Sequence, residues 1–204
     1  MESRIRTEDI SGLILSGGRG SRMGGVDKGL QMLKGQSLVQ HTLRRLSPQV
    51  GTVLINANRH IKEYEDLGLP VLPDSQADFA GPLAGFMAGL LACKTPWMLT
   101  VPCDSPLFPL DLAERLSQAA MQAQADVAAP LTLEDGHARV QPVFCLLRTS
   151  LHTSLAKYMK EGGRKIDHWL QQHQHVFVPF HAPSDSKAFF NANTLAELDA
   201  LEPE

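Results

Sequence analysis

Three cysteines in 204 residues, Cys93, Cys103 and Cys145, are odd in number and widely spaced. None forms a Cys-x-x-Cys pair, which argues against a disulfide framework and against a zinc ribbon. Positive charge is not in excess either. Nineteen lysines and arginines face 22 aspartates and glutamates, a formal net charge of −3. Proteins that hold nucleic-acid polymers are usually basic, so a mononucleotide in a local basic pocket is the larger partner left open. Long apolar runs are missing. None approaches the roughly 20 residues that span a bilayer, and the charged opening MESRIRTEDI lacks the apolar core of a signal peptide. No internal repeat or low-complexity linker divides the chain, and the eight histidines do not cluster as metal ligands. These absences predict a soluble, cytoplasmic protein with no membrane and no nucleic-acid partner. The length suits a single domain over 1–204 with a real core.

What is present is an alternation. Short apolar runs at 12–17, 51–58, 69–74, 96–104 and 125–132 read as strands. They are continuously apolar, as expected for strands covered on both faces. Helical patterns lie between them. Ser37 and Gln40 form a capping box before Leu38, Val39, Leu43 and Leu46. In GPLAGFMAGLLA, Leu83, Phe86, Met87, Leu90 and Leu91 recur on one face, and Gly81, Gly85 and Gly89 share another. Those glycines allow either close packing on a neighbour or room for a ligand at the helix start. A third helix follows Pro109. Later, 139–147 reads as a strand, 150–163 and 164–173 as helices and 176–180 as a strand. Thr194 and Glu197 suit the cap of a last helix. This order predicts an α/β fold with a parallel sheet and helices on both faces.

In such sheets ligands sit beyond the carboxyl ends of the strands. Polar signals gather there: the loop SGGRGSRMGGVDKG, then Asn56 and Asn58, then Asp74, then Asp104. Five of the nine residues from Gly17 to Gly25 are glycine, and Arg19, Arg22 and Lys28 stand around Asp27. Free backbone N–H groups and cations make such a loop a seat for phosphates. It is not a Walker loop, because Lys28 follows Asp27 and precedes Gly29. Nor is it a dinucleotide fingerprint, since Met23 stands where the third glycine belongs and the second strand ends in Asn56, not an acid.

The stretch LSGGRGSRMGGVDKG resembles the signature loop of nucleotidyltransferases, and its RMGGVDKGL form is similar to the molybdenum cofactor guanylyltransferases. NANRH (56–60), PD (73–74), GPLAG (81–85), PCDSP (102–106), GGRK (162–165) and NANT (191–194) follow in order and extend the resemblance over nearly the whole chain. Ser16 stands where the family usually has alanine, and Asp27 where many sugar-phosphate relatives have proline. The resemblance implies a Rossmann-like three-layer α/β/α fold with a mostly parallel sheet. It also implies transfer of GMP from GTP to the terminal phosphate of molybdopterin, releasing pyrophosphate, with Mg²⁺ as cofactor. About 10–105 would take GTP and about 106–204 the pterin.

By the same resemblance Arg22, Lys28 and Asp104 are the catalytic candidates, with Asp104 the metal ligand. Leu15, Ser16, Gly17, Gly18, Lys28, Asn56, Asp74 and Asp104 are candidates for GTP. Arg164, Lys165, Asn191 and Asn193 are candidates for molybdopterin. Molybdenum-insertion proteins and apo-molybdoenzymes are the implied onward partners. Other readings stay open: cytidylyl transfer to the same cofactor, transfer to a sugar phosphate, or a non-catalytic module that delivers the cofactor.

Overall fold

A computed structural model describes residues 4–18, 27–74, 81–185 and 188–191. The first strand, β1, runs over Ile10–Leu15 and is buried along nearly its whole length. A two-residue hairpin, β2 (Met32–Leu33) and β3 (Gln36–Ser37), then leads into α1 (Leu38–Leu46). The predicted cap forms: Gln40 Oε1 accepts the Ser37 N–H at 2.8 Å. β4 (Thr52–Asn56), α2 (Ile61–Glu65), β5 (Val71–Leu72) and α3 (Pro82–Ala92) follow. Next come β6 (Trp97–Pro102), α4 (Leu112–Gln122), β7 (Val127–Glu134), β8 (His137–Val140) and β9 (Cys145–Arg148). α5 (His152–Lys160), α6 (Ile166–Leu170) and β10 (His175–Pro179) complete the described elements.

The main sheet orders its strands β10-β7-β9-β6-β1-β4-β5, with β8 beside β7. β1 pairs in parallel with β4 and β6, β4 with β5, and β10 with β7. β9 runs antiparallel to both of its neighbours, β6 and β7. The sheet is therefore mostly parallel, as the alternation predicts, with two reversed strands: β9 inserted between β6 and β7, and β8 beside β7. The predicted strand at 139–147 is two strands. Pro142 has no N–H to give a ladder, and a turn in which Phe144 N–H donates to Gln141 O at 3.0 Å separates β8 from β9. The helix expected over 164–173 is shorter, five residues of α6. The last predicted helix lies outside the described residues.

Helices cover both sheet faces. Ile10 and Ile14 of β1 pack with Val39 and Leu46 of α1 and Leu112 and Leu116 of α4. Leu13 points the other way, into Phe86 and Leu90 of α3, Leu155 of α5 and Trp169 of α6. This is why β1 shows no polar alternation: both of its faces are core. Gly12 lets α1 close on the strand, since a Cβ there would stand 2.8 Å from Leu46. No helix among the described residues is long and apolar enough to cross a membrane.

Candidate active site

Parallel pairing brings the carboxyl ends of β1, β4, β5 and β6 to one edge. Pairing continues one residue beyond the strands: Ser16 N–H donates to Asn56 O at 2.8 Å, and Cys103 N–H to Leu15 O at 3.1 Å. Ser16, Asn56 and Cys103 therefore stand side by side, and the segments they open form the rim. The Ser16 N–H is taken up by the sheet. The next backbone N–H groups of this loop are those of Gly17 and Gly18.

One side of the rim is an amide–carboxylate network. Asn56 is buried, and its Nδ2 donates to Leu72 O at 3.0 Å and to Asp74 Oδ1 at 2.9 Å. Asn58 Nδ2 donates to Asp74 Oδ2 at 2.8 Å, and Asn58 Oδ1 accepts the Asp74 N–H at 2.8 Å. Both oxygens of Asp74 are thus held by amides, which fixes the plane of the carboxylate. The same segment ties down the glycine loop. Asn58 Nδ2 reaches Gly17 O at 3.3 Å, and Arg59 Nη2 reaches Gly18 O at 3.0 Å.

The two readings of the glycines in α3 divide between positions. A Cβ at Gly89 would come within 2.7 Å of Met98 Sδ, so that glycine serves packing. A Cβ at Gly85 would overlap Asn56 Oδ1 and stand 2.6 Å from Leu15 Cδ2. Gly81, at φ 141°, opens the helix with nothing within 4 Å of its missing side chain. Gly85→Ala should destabilise the fold by about 1–3 kcal/mol and push Asn56 off Asp74. Thermal melts with and without GTP check both effects: the ligand-induced rise in Tm should shrink along with the Tm itself.

The other side of the rim carries opposite charges. Lys28 Nζ donates to Asp104 Oδ2 at 2.9 Å, with the side chains 23% and 16% exposed. The pair is half-buried, screened from bulk water yet within reach of a ligand entering the rim. The Asp104 turn and the segment after it are braced from below by α1 and by the turn that follows α1. Thr42 Oγ1 donates to Cys103 O at 3.3 Å, Arg45 Nε to Phe108 O at 2.6 Å and Gln49 Nε2 to Pro109 O at 3.1 Å. Burial, and next the Asp104 carboxylate, push the Cys103 thiol up to about 12. That thiol is neutral near pH 7 and offers neither a nucleophile nor a thiolate ligand.

Of the residues singled out in the sequence, Leu15, Ser16, Gly17, Gly18, Lys28, Asn56, Asp74 and Asp104 come together at this edge. Asn191 reaches it from the far end of the chain, where its side-chain oxygen meets the hydroxyl of buried Ser105. Arg164 Nη1 donates to Met159 O at 3.2 Å and Gly163 O at 2.8 Å, closing the end of α5. Lys165 precedes α6, and its carbonyl accepts the Tyr158 hydroxyl at 3.0 Å. Arg22 and Asn193 lie outside the described residues, as does Arg19. Asn58 was marked in the sequence only as a polar signal after the second strand, and Arg59 only as part of the stretch NANRH. Tyr64, beyond that stretch, carried no signal of its own.

Residues 12–176 match the model of the MobA-like NTP transferase domain. This chain belongs to that family. Full-length relatives agree. A molybdenum cofactor guanylyltransferase of Acidovorax sp. (strain JS42) is 62% identical, with 97% of each chain covered. One of Ralstonia nicotianae (strain ATCC BAA-1114 / GMI1000) is 57% identical, covering 97% of this chain and 98% of its own. Among solved structures, the molybdopterin-guanine dinucleotide biosynthesis protein A of Archaeoglobus fulgidus superposes with a TM-score of 0.73 at 24% identity, over 93% of this chain and 95% of that one. A 4-diphosphocytidyl-2C-methyl-D-erythritol synthase of Anaerococcus prevotii gives 0.70 at 13% identity, over 95% and 96%. The fold is thus shared by nucleotidyltransferases, and the closer sequence likeness is to the guanylyltransferases.

Proposed function

We propose that this MobA-like transferase domain moves GMP from GTP onto the terminal phosphate of molybdopterin, releasing pyrophosphate and leaving the guanine dinucleotide form of the cofactor. The observation that carries this reading is the Lys28–Asp104 pair facing the Asn56–Asp74 network across one rim, in a chain 62% identical end to end to a guanylyltransferase. The acceptor is a phosphate monoester with a second pKa of about 6. It is already largely ionised near neutrality, so no strong general base is required. The obstacle is charge: two anions must meet in line, and the leaving pyrophosphate gains charge. Positioning and fixed electrostatics are the means this chain has to lower that barrier.

The residues divide the task. The Gly17 and Gly18 N–H groups and Lys28 face the triphosphate, and the Lys28 ammonium meets the charge that develops on the leaving group. Arg22, in the same loop, is assigned the same duty. Asn56 and the amide-held Asp74 take the guanosine, through the N1–H and 2-amino group of the base or through ribose hydroxyls. Asp104 fits Mg²⁺. It is one carboxylate on a stiff turn between Pro102 and Pro106, and Mg²⁺ commonly takes one or two carboxylates together with substrate phosphates. Among the described residues no three His, Cys, Asp or Glu side chains converge on an ion site, so such an ion would share the phosphates of the nucleotide. Bound there, Mg²⁺ would supply positive charge to the phosphoryl oxygens.

The C-terminal part would seat the pterin. Asn191, held by the hydroxyl of Ser105, with Asn193, Arg164 and Lys165, are the assigned contacts. The work is cytoplasmic, and its product passes to molybdenum-insertion proteins and apo-molybdoenzymes. Incubation with GTP, Mg²⁺ and molybdopterin under reducing, anaerobic conditions should yield pyrophosphate and a guanine dinucleotide in equal amounts. Dinucleotide formed faster from CTP than from GTP would overturn the guanine assignment, and no product would overturn the reaction.

A further inference from the structure

Behind the rim lies a buried polar contact that the transfer chemistry itself does not use. Tyr64 of α2 is fully buried, and Asp27 is 6% exposed. The phenol OH donates to Asp27 Oδ1 at 2.6 Å, and the same oxygen accepts the Gly29 N–H at 3.1 Å. Gln31 Nε2 donates to the Asp27 carbonyl at 3.2 Å. A Cβ at Gly29 would overlap the Tyr64 hydroxyl, so the phenol is seated directly under the backbone of this turn. Burial first, then the Cys103 thiol and the Asp27 carboxylate, raise the pKa of the phenol, which stays a donor at any working pH.

The placement gives this contact its meaning. Asp27 and Gly29 flank Lys28, and the three share a single 3-10 turn, Lys28–Leu30, capped by Asp27. So short an element has little rigidity of its own. Its orientation, and hence the direction in which the Lys28 side chain leaves the backbone, depends on what holds the Asp27 carboxylate. We propose that Tyr64, acting through Asp27, is a positioning residue that aims Lys28 at Asp104 and at the phosphates of the bound nucleotide. Segment 56–64 then organises the rim from Asp74 to the lysine turn. Asn56 and Asn58 hold Asp74, Asn58 and Arg59 hold the glycine-loop carbonyls, and Tyr64 holds the lysine turn. Its rate readout rests on the transfer reaction proposed above; its labelling readout does not.

Tyr64→Phe removes one oxygen and keeps the ring in the core. It should lower kcat by about 10- to 100-fold, the usual effect of misplacing a reacting group by about 1 Å. The KM for GTP should move much less, because Asn56 and Asp74 are untouched. A double-mutant cycle separates positioning from general weakening. In a Lys28→Ala background, Tyr64→Phe should cost less than about twofold in kcat, because the group it aims is gone. Equal factors in both backgrounds would overturn the proposal. Amine-specific acylation followed by peptide mapping of the ligand-free protein needs no turnover. Tyr64→Phe should speed labelling of Lys28 severalfold, with exposed Lys34 and Lys157 unchanged. Unchanged labelling of Lys28 also overturns the proposal. A wild-type protein that makes no dinucleotide refutes the reaction instead, and the labelling result still decides the role of Tyr64.

Discussion

Asp104→Ala is expected to lower the rate of pyrophosphate release by about 10²–10³-fold, the usual size of a lost electrostatic contributor. The loss should not come from unfolding. Its partner, Lys28, keeps 23% of its side chain exposed, so the ammonium left unpaired can still be hydrated and the cost in stability is moderate. The turn that carries Asp104 is held by Thr42, Arg45 and Gln49 through backbone carbonyls, none of which the substitution touches. Two measurements check this: the melting temperature, which should stay within a few degrees of wild type, and the Mg²⁺ dependence of the rate, which should flatten. Asp104→Asn should be nearly as impaired. It keeps the shape and one acceptor oxygen but loses the charge that a hard cation requires. Activity within about tenfold of wild type would remove Asp104 from the metal site.

Lys28→Ala is expected to lower the rate by a similar factor, about 10²–10³-fold, while tightening the binding of Mg²⁺ alone. The opposite signs follow from the pair. Without a nucleotide the ammonium sits 2.9 Å from Asp104 Oδ2 and neutralises it. Removing the ammonium frees that carboxylate for a cation and deprives the leaving pyrophosphate of its positive partner. General damage to the fold would weaken both properties together. Calorimetric titration with Mg²⁺ and a single-turnover rate with saturating GTP distinguish the outcomes. Weaker Mg²⁺ binding together with slower transfer would point to structural damage and count against the electrostatic role. Lys28→Arg should recover only part of the rate, because the planar guanidinium is bulkier than the compact ammonium and meets phosphate in a different geometry.

The two substitutions act on one side of the rim, and the other side explains why the nucleotide should arrive in a fixed orientation. Asp74 has both oxygens engaged by Asn56 and Asn58, so the carboxylate cannot rotate to follow a ligand. Preorganisation of this sort lowers the entropy lost on binding. Gly85 belongs to the same arrangement, since only a residue without Cβ lets α3 approach Asn56.

Much of the site was legible in the chain because its residues end strands. A run such as GLILSG is apolar without interruption since helices cover both faces, and the first polar residues after it stand at the sheet edge where ligands collect. Gly17, Gly18, Asn56, Asp74 and Asp104 could be marked on that ground and Lys28 as a cation of the glycine loop, and the resemblance added the catalytic roles of Lys28 and Asp104. Asp27 was legible only as a difference from sugar-nucleotide relatives. Its contact with Tyr64 spans 37 residues, and nothing in either local pattern announces it.

By itself the sequence determined the alternation of strands and helices, the rim residues and the family, because burial on two faces and the order of the motifs are written into local composition. Strand direction was decided only by the tertiary structure. A strand buried on both faces reads the same whichever way it runs, so reversed β9 between β6 and β7 left no local mark. Which polar side chains hold one another was also decided there. Arg59 and Tyr64 look like an ordinary polar turn and a short helix until folding sets them beside Gly18 and Asp27. Hydrogen bonds are short-ranged and directional, so a partner's identity depends on where distant segments meet.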